Sequence, residues 1–495
     1  YLYLNMTKPG EKLILSYSDT NAKGEGISSA YLIGSIRSLY PKLEIEGGAG
    51  VRPHKNSINN YCYPENPEAG IDLFLEKLVQ ETEKEHEDIL GQADETDAMF
   101  GELYSWYLRN PEYRSRVQKL VQSAFAGKPK DIISQSVAKA LYGEVSPYSA
   151  TRLERFAACA FAHFLQYGMK LTERVEYEFK PMDMGNVMHE ALESFAEEVR
   201  KRGMKWTELT EQERNEIADR CLDNIVADYG NTVLKSSARN EYMIERTRRI
   251  LRRTVWALQK QLEQGEFQPE GFEVTFGGGR IDRVDIMEDQ NKVYVKVIDY
   301  KTGNTSFDLV YLYHGLQLQL MIYLDGALRV EQKKYPDKEI IPAGVFYYNI
   351  KDPMIQEKID ADVEAVSAGL MKELKMNGLV QADPELVYRM DSSLGSIPVA
   401  FNKDGSFRKN SSVADRTQFA MLGRYVRTKI EKIRSSILEG DAEVSPYELG
   451  KKNACTYCPY MTVCGFDRKL SGYEFRRLKN FSDEELWKVF DREAE

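Results

Sequence analysis

The chain has 495 residues, 42% of them hydrophobic and 29% charged, which is ordinary for a globular protein and enough for two or three domains. Its formal net charge of −10 argues against a generic nucleic-acid binder, because bulk charge usually opposes that of a polyanionic partner. No apolar run is long enough to cross a bilayer and no signal-peptide pattern opens the chain, so a cytoplasmic setting is expected, where six cysteines suit a metal or cluster better than disulfides.

The chain starts at Tyr1, inside an apolar run and without a methionine, and so reads as a piece of a longer protein. Alternating apolar residues from Lys12 to Tyr17 predict a buried strand. The stretch YLYLNMTKPGEKLILSYS resembles the last conserved motif of superfamily 1 helicases, with Lys8 of Thr7-Lys8-Pro9 where that motif carries a phosphate-sensing arginine. No Gly-rich loop ending in Gly-Lys-Ser/Thr occurs anywhere, so ATP hydrolysis is not expected. Residues 1–94 are therefore expected to be the remnant of an inactive helicase-like domain. Breaks at Asn110-Pro111 and Gly127-Lys128-Pro129 make 95–145 a helical connector.

A new unit is expected over residues 146–470. Leu153, Phe156, Ala157, Phe161, Phe164 and Leu165 form a helical stripe, with Cys159 inside it. Between Met184 and Gly203, Val187, Met188, Ala191, Leu192, Phe195 and Val199 line a second helix. His189 sits at the edge of that stripe, and Gly185 allows close approach. A third helix, Asn240 to Gln261, crowds Arg246, Arg248, Arg249, Arg252 and Arg253 together. Such a run is either a solvated face or a seat for a phosphate backbone.

Two β-rich runs follow, Arg280 to Ile286 and Val293 to Tyr300, around the polar turn Glu288-Asp289-Gln290-Asn291. A turn near Gln290-Asn291 sets Asp282 opposite Asp299. Like charges so placed are destabilising unless something sits between them, and a divalent cation is the obvious candidate. Lys301 shares the face of Asp299, so two acids and an ammonium converge in a pattern suited to metal-assisted hydrolysis. HGLQLQLMIYLDGAL is helical, with Gln319 and Tyr323 four apart on one face, and AGVFYYN, Ala343 to Asn349, is a further strand. From His189 onward the order is helix, helix, strand, strand, helix, strand, an α/β domain with the site at its sheet.

After a long helix from Ala414 to Leu438 comes Cys455-x-x-Cys458-Pro459-x4-Cys464. Three clustered thiols point to a soft metal, with Cys62, Cys159 or Cys221 as the fourth ligand; the spacing does not separate zinc from iron–sulfur. Residues 471–495 read as a charged helical tail.

Taken together, His189 in MGNVMHE, Asp282 in GRIDRVD, Asp299 and Lys301 in VIDYKTG, Gln319 and Tyr323 in QLMIY, and the block SPYSATRLERFAACAF with the closing cysteines resemble the C-terminal part of the B subunits of bacterial AddAB helicase–nucleases. The resemblance implies a RecB-like nuclease domain with the restriction-endonuclease-like mixed sheet of the PD-(D/E)xK superfamily. It implies His189, Asp282, Asp299 and the Tyr300 carbonyl as ligands of Mg²⁺ or Mn²⁺, Lys301 as the catalytic lysine, and Gln319 and Tyr323 as residues that organise the site. Cys159, Cys455, Cys458 and Cys464 would hold a 4Fe–4S cluster stapling the ends of the domain, with Cys62 and Cys221 merely structural. Arg246, Arg249, Arg253 and Arg280 are the expected contacts to DNA. Single-stranded DNA from broken ends and a motor A subunit are the implied partners, and no membrane. Ala160 departs from the proline that the family prefers after the first cluster cysteine, and most of the helicase-like half is absent. A non-catalytic DNA-binding or scaffolding role, with the cluster only structural, is the alternative.

Overall fold

The computed structural model describes residues 2–18, 28–43, 66–83, 95–124, 132–143, 149–172, 181–228, 237–277, 279–356, 362–470 and 472–493. They divide into two units, Tyr1–Phe125 and Ala126–Glu495, each with its own core. Cys62 and the start of the expected nuclease unit at Ser146 lie outside the described residues.

The first unit has short helices α1 (Leu2–Thr7) and α2 (Tyr31–Leu39), then α3 (Pro67–Glu83), α4 (Glu95–Arg109) and α5 (Pro111–Ala124). Pro111 stops α4 and opens α5, the position where its missing N–H costs nothing. Ile71, Phe74, Leu78, Tyr107 and Val117 form the core of α3–α5, with Phe74 stacked 4.7 Å from Phe100. Two expectations change here. The segment Lys12–Tyr17 has no regular structure and exposes Leu13, Ile14, Leu15 and Tyr17; a strand needs a neighbour for its backbone groups, and none pairs with it among the described residues. The expected connector is also divided, because α4 and α5 bury their apolar stripes against α3 whereas α6 (Gln135–Tyr142) packs on a helix of the second unit.

The second unit continues with α7 (Ala150–Ala158), α8 (Ala160–His163), α9 (Pro181–Lys201), α10 (Glu211–Asp228) and α11 (Ala238–Glu263). Then come β1 (Gln268–Phe276), β2 (Gly279–Asp289), β3 (Lys292–Lys301), α12 (Leu309–Tyr313), α13 (Gln319–Lys334) and β4 (Glu339–Asn349). The unit closes with α14 (Val363–Glu373), β5 (Asn377–Gln381), α15 (Pro384–Met390), β6 (Val413–Ala414), α16 (Arg416–Glu439), β7 (Tyr447–Leu449), β8 (Lys452–Asn453), α17 (Met461–Cys464), β9 (Arg476–Arg477) and α18 (Asp483–Glu493).

Strands β1 to β6 form one mixed sheet in sequence order, with β3–β4 and β5–β6 parallel and the other pairs antiparallel. Strand alternation splits the core in two. Val284, Ile286, Val293, Val295 and Val297 pack under α7, α13, α16 and α18, while Met287, Ile298, Tyr300, Phe346 and Tyr348 pack under α9, α10 and α11. Helices on both faces make a three-layer α/β domain of the expected class. Strand β1 and helix α10 are additions to the expected order; β1, with Pro269, Gly271 and two glutamates, lacks an alternating pattern and lies at the sheet's edge. The tail is not separate either, since Leu486 and Phe490 of α18 are fully buried in the main core. Among the described residues no helix is long and apolar enough to cross a membrane.

Candidate metal-dependent active site

Three neighbouring strands bring three carboxylates together. The β2–β3 register, Arg283↔Ile298, continues one step to set Asp282 beside Asp299. On the other flank, the pairs Phe272↔Arg283 and Val274↔Ile281 leave Glu273 beside Asp282. Glu273 has a φ of 48°, a left-handed conformation that costs a non-glycine residue about 1–3 kcal/mol and clusters at functional sites. From α9, His189 Nδ1 reaches to 3.3 Å from Asp282 Oδ2 and 4.0 Å from Glu273 Oε1. Gly185 makes room one turn earlier, because a Cβ there would stand 3.4 Å from Thr302 Oγ1 just past β3. Tyr300 N–H donates to Asp282 Oδ2 at 2.7 Å and fixes that carboxylate.

Lys301 occupies the adjoining side. Its Nζ lies 2.6 Å from Asp299 Oδ2 and 5.5 Å from the centre of the Tyr347 ring, and it donates to Gln319 Oε1 at 2.8 Å. Gln319 Nε2 in turn donates to Tyr323 Oη at 2.9 Å. Behind this row, Glu154 of α7 accepts from the backbone N–H groups of Leu318 and Gln319 at 2.7 and 2.9 Å. The loop after Lys301 is held by side-chain amides. Asn349 bonds both N and O of Thr305 at 3.0 Å, Asn377 accepts from Phe307 N, and Gln317 bonds Asp308 N and Ser306 O at 2.9 and 2.8 Å.

The electrostatics are those of a site short of positive charge. Burial, then the Asp282 charge, push the Asp299 carboxyl up to about 7 against the pull of Lys301. The same two causes push Glu273 up to about 7. Burial disfavours the His189 imidazolium, yet its hydrogen bond to Asp282 and the surrounding carboxylates outweigh that and raise its pKa. Clustered acids that resist ionising together are what a cation would relieve. The ligand atoms of His189, Glu273 and Asp282 all lie within 4.8 Å of one another, and hard oxygen donors with one imidazole fit a small divalent cation. Of the expected set, Asp299 sits next to that trio and turns its carboxylate to Lys301, while Glu273 joins it unannounced by the sequence. Its only sequence signal is a glutamate between Phe272 and Val274 in a segment with no strand pattern.

Cys159, Cys455, Cys458 and Cys464 line a single cavity with Phe161, Tyr460 and Phe466. Burial pushes the Cys455 thiol up to about 11, and the other three cysteines add to the effect. Cys159 does not lie inside a helix as expected. It breaks α7 from α8 in an extended conformation, φ −165°, which brings it to the cavity wall. Ala160 is the first residue of α8, where a proline is at home, so the departure costs little. Cys221 is a buried core residue of α10.

The arginines are less uniform than their spacing suggests. Arg248 pairs with Asp223 of α10 at 2.7 Å, Arg252 with Asp219, and Arg249 with Asp352 at 2.7 Å. Arg253 lies over Trp256 at 5.4 Å, Arg246 is exposed, and Arg280 pairs with Glu273 at 2.5 Å.

Residues 147–465 match the pattern of the PD-(D/E)XK nuclease superfamily. The whole chain is 40% identical, over 519 aligned residues, to the B subunit of an ATP-dependent helicase/deoxyribonuclease from Lachnoclostridium phytofermentans and covers 43% of its length. Proteins of the same name from Alkaliphilus metalliredigens and a Thermoanaerobacter species are 32% and 30% identical, again across the whole chain and over 44% of their own length. The chain thus spans less than half of these relatives.

Proposed function

Because the chain belongs to the PD-(D/E)XK nuclease superfamily, we propose that its second unit is a deoxyribonuclease that hydrolyses phosphodiester bonds in single-stranded DNA. Its place is the B subunit of a cytoplasmic helicase–nuclease whose A subunit supplies the motor and which trims double-strand breaks for recombination. The observation that carries the reading is the alignment of Glu273, Asp282 and Asp299 on three adjacent strands, with an ammonium beside them. His189, Asp282, Asp299 and the Tyr300 carbonyl, with Glu273 added, would hold Mg²⁺ or Mn²⁺. The ion, when bound, supplies charge for the phosphate and a more acidic water. Tyr300 N–H keeps Asp282 aimed at the site. Lys301, kept in place by Asp299 and Gln319, sets its positive charge where the attacked phosphate gains negative charge. Tyr323 holds Gln319 in the orientation that accepts from the lysine. Arg246 and Arg253 on α11, with Arg249 and Arg280 once released from their acids, offer contacts to the DNA backbone.

The four thiols, which line one cavity, would hold a 4Fe–4S cluster, as the resemblance to the AddAB B subunits implies. Digestion of single-stranded DNA by the purified protein, alone and with its motor subunit, in Mg²⁺ and then in chelator, tests the reading. Cleavage that persists in chelator, or none in either assembly, would reject it. Absorbance near roughly 400 nm distinguishes the cluster from zinc.

A further inference from the structure

Helix α13 begins at the candidate site without a cap of its own, since its N-cap residue, Leu318, offers no side-chain acceptor to the first turn. The first N–H groups of a helix need partners, and the helix dipole favours a negative charge there. Glu154 provides both from another helix. Its Oε1 accepts from Leu318 N at 2.7 Å and Gln319 N at 2.9 Å. Gln319 is also the residue whose side chain accepts from Lys301 Nζ at 2.8 Å. Glu154 therefore fixes the backbone of the residue that fixes the ammonium. Burial pushes its carboxyl up to about 7 even though two N–H bonds and Lys301 pull the other way, so it is kept in this apolar place by those bonds. One turn further on, the same short helix ends in Cys159 at the cysteine cavity, and Arg476 of β9 donates to Ala157 O to hold that end.

We propose that Glu154 is a positioning residue for Lys301, and that through it helix α7, which ends beside Cys159, sets where the ammonium sits. The ammonium's catalytic role is that of the nuclease reading above; its placement by Glu154 stands on the hydrogen bonds alone.

The test compares the whole protein with its Glu154→Ala and Glu154→Gln variants. One readout is acetylation of Lys301 by an amine-reactive ester, followed by mass spectrometry. The other is kcat and KM on single-stranded DNA with Mg²⁺. In the parent, Lys301 reacts slowly. Glu154→Ala makes it react several times faster than the parent while other lysines keep their rates. Glu154→Gln, whose amide oxygen still accepts both N–H groups, stays near the parent. Displacing a charge at a reacting centre lowers kcat by about ten- to a hundredfold with KM little changed. Because Glu154 acts through Gln319, adding Glu154→Ala to Gln319→Ala lowers kcat no further. If Glu154→Ala unfolds the chain, visible as acetylation of every lysine, Glu154→Asp, one methylene short of the N–H pair, carries the same comparison. Lys301 reacting at the parent rate in a folded variant overturns the proposal. A parent that cleaves no DNA while Lys301 reactivity still responds to Glu154 rejects the nuclease reading and leaves the placement standing.

Discussion

Asp299 is almost fully buried, faces Asp282, and keeps its ion pair with Lys301. On the proposed reading, replacing it with alanine takes one acid from the cation site and frees the lysine, so digestion of single-stranded DNA should fall by about a hundredfold or more. The fold should survive; retained activity would remove Asp299 from the machinery. On the opposite side of the sheet, Asp285 is sealed in with Arg283 at 2.6 Å and Lys296 at 2.9 Å. Asp285→Ala would leave two buried cations unmatched and cost about 3–5 kcal/mol, read by urea unfolding. Burial alone would raise the Asp285 carboxyl, but the two cations hold it below its usual value. A depressed folded pKa means that the stabilisation is full above the unfolded value of about 4 and is lost as pH falls through the folded one. Unfolding curves between neutral and acidic pH should show this loss in the parent and not in Asp285→Asn. At this scale Asp282, Asp299, Lys301 and His189 were legible because each stands in a patterned stretch. Glu273 was not, because contact with His189 depends on a strand that the local residues do not announce.

Among the elements, the β2–β3 hairpin was readable from alternation and a polar turn, and Gln290 at φ 47° supplies the tight reversal between the strands. Edge strand β1 was hidden because half of what stabilises it is its neighbour, not its own pattern. The helix break at Cys159 was hidden for a related reason: the stripe of apolar residues runs through it, and only the cavity wall requires the thiol to turn. Helix α18 looked like a charged tail because its apolar residues are few, yet Phe490 lies 4.8 Å from the Tyr425 ring and 6.0 Å from that of Tyr313 in the main core. Phe490→Ala should therefore cost about 3–5 kcal/mol, as large a loss as a central core truncation. Thermal unfolding followed by circular dichroism checks it, and an unchanged midpoint would return α18 to the status of a loose appendage.

At the level of the whole molecule, the proposed cluster on Cys159, Cys455, Cys458 and Cys464 would join the beginning of the second unit to its end and close a loop of roughly three hundred residues. In the chain-entropy account such a link restrains the unfolded state by up to about 5–6 kcal/mol. Cys455→Ser should bleach the absorbance near roughly 400 nm and lower the unfolding midpoint, whereas Cys221→Ser, a change in a core helix, should leave the colour intact. The division into two units was only partly legible, since the partners of α4 and α5 lie upstream and no local residue marks the change of allegiance. The loop that follows Lys301 is pinned at Thr305, Ser306, Phe307 and Asp308 by Asn349, Asn377 and Gln317. Tied at that many points to side chains of β4, β5 and its own following turn, this segment gives the flank of the site beside Lys301 a backbone course set by partners far away in sequence.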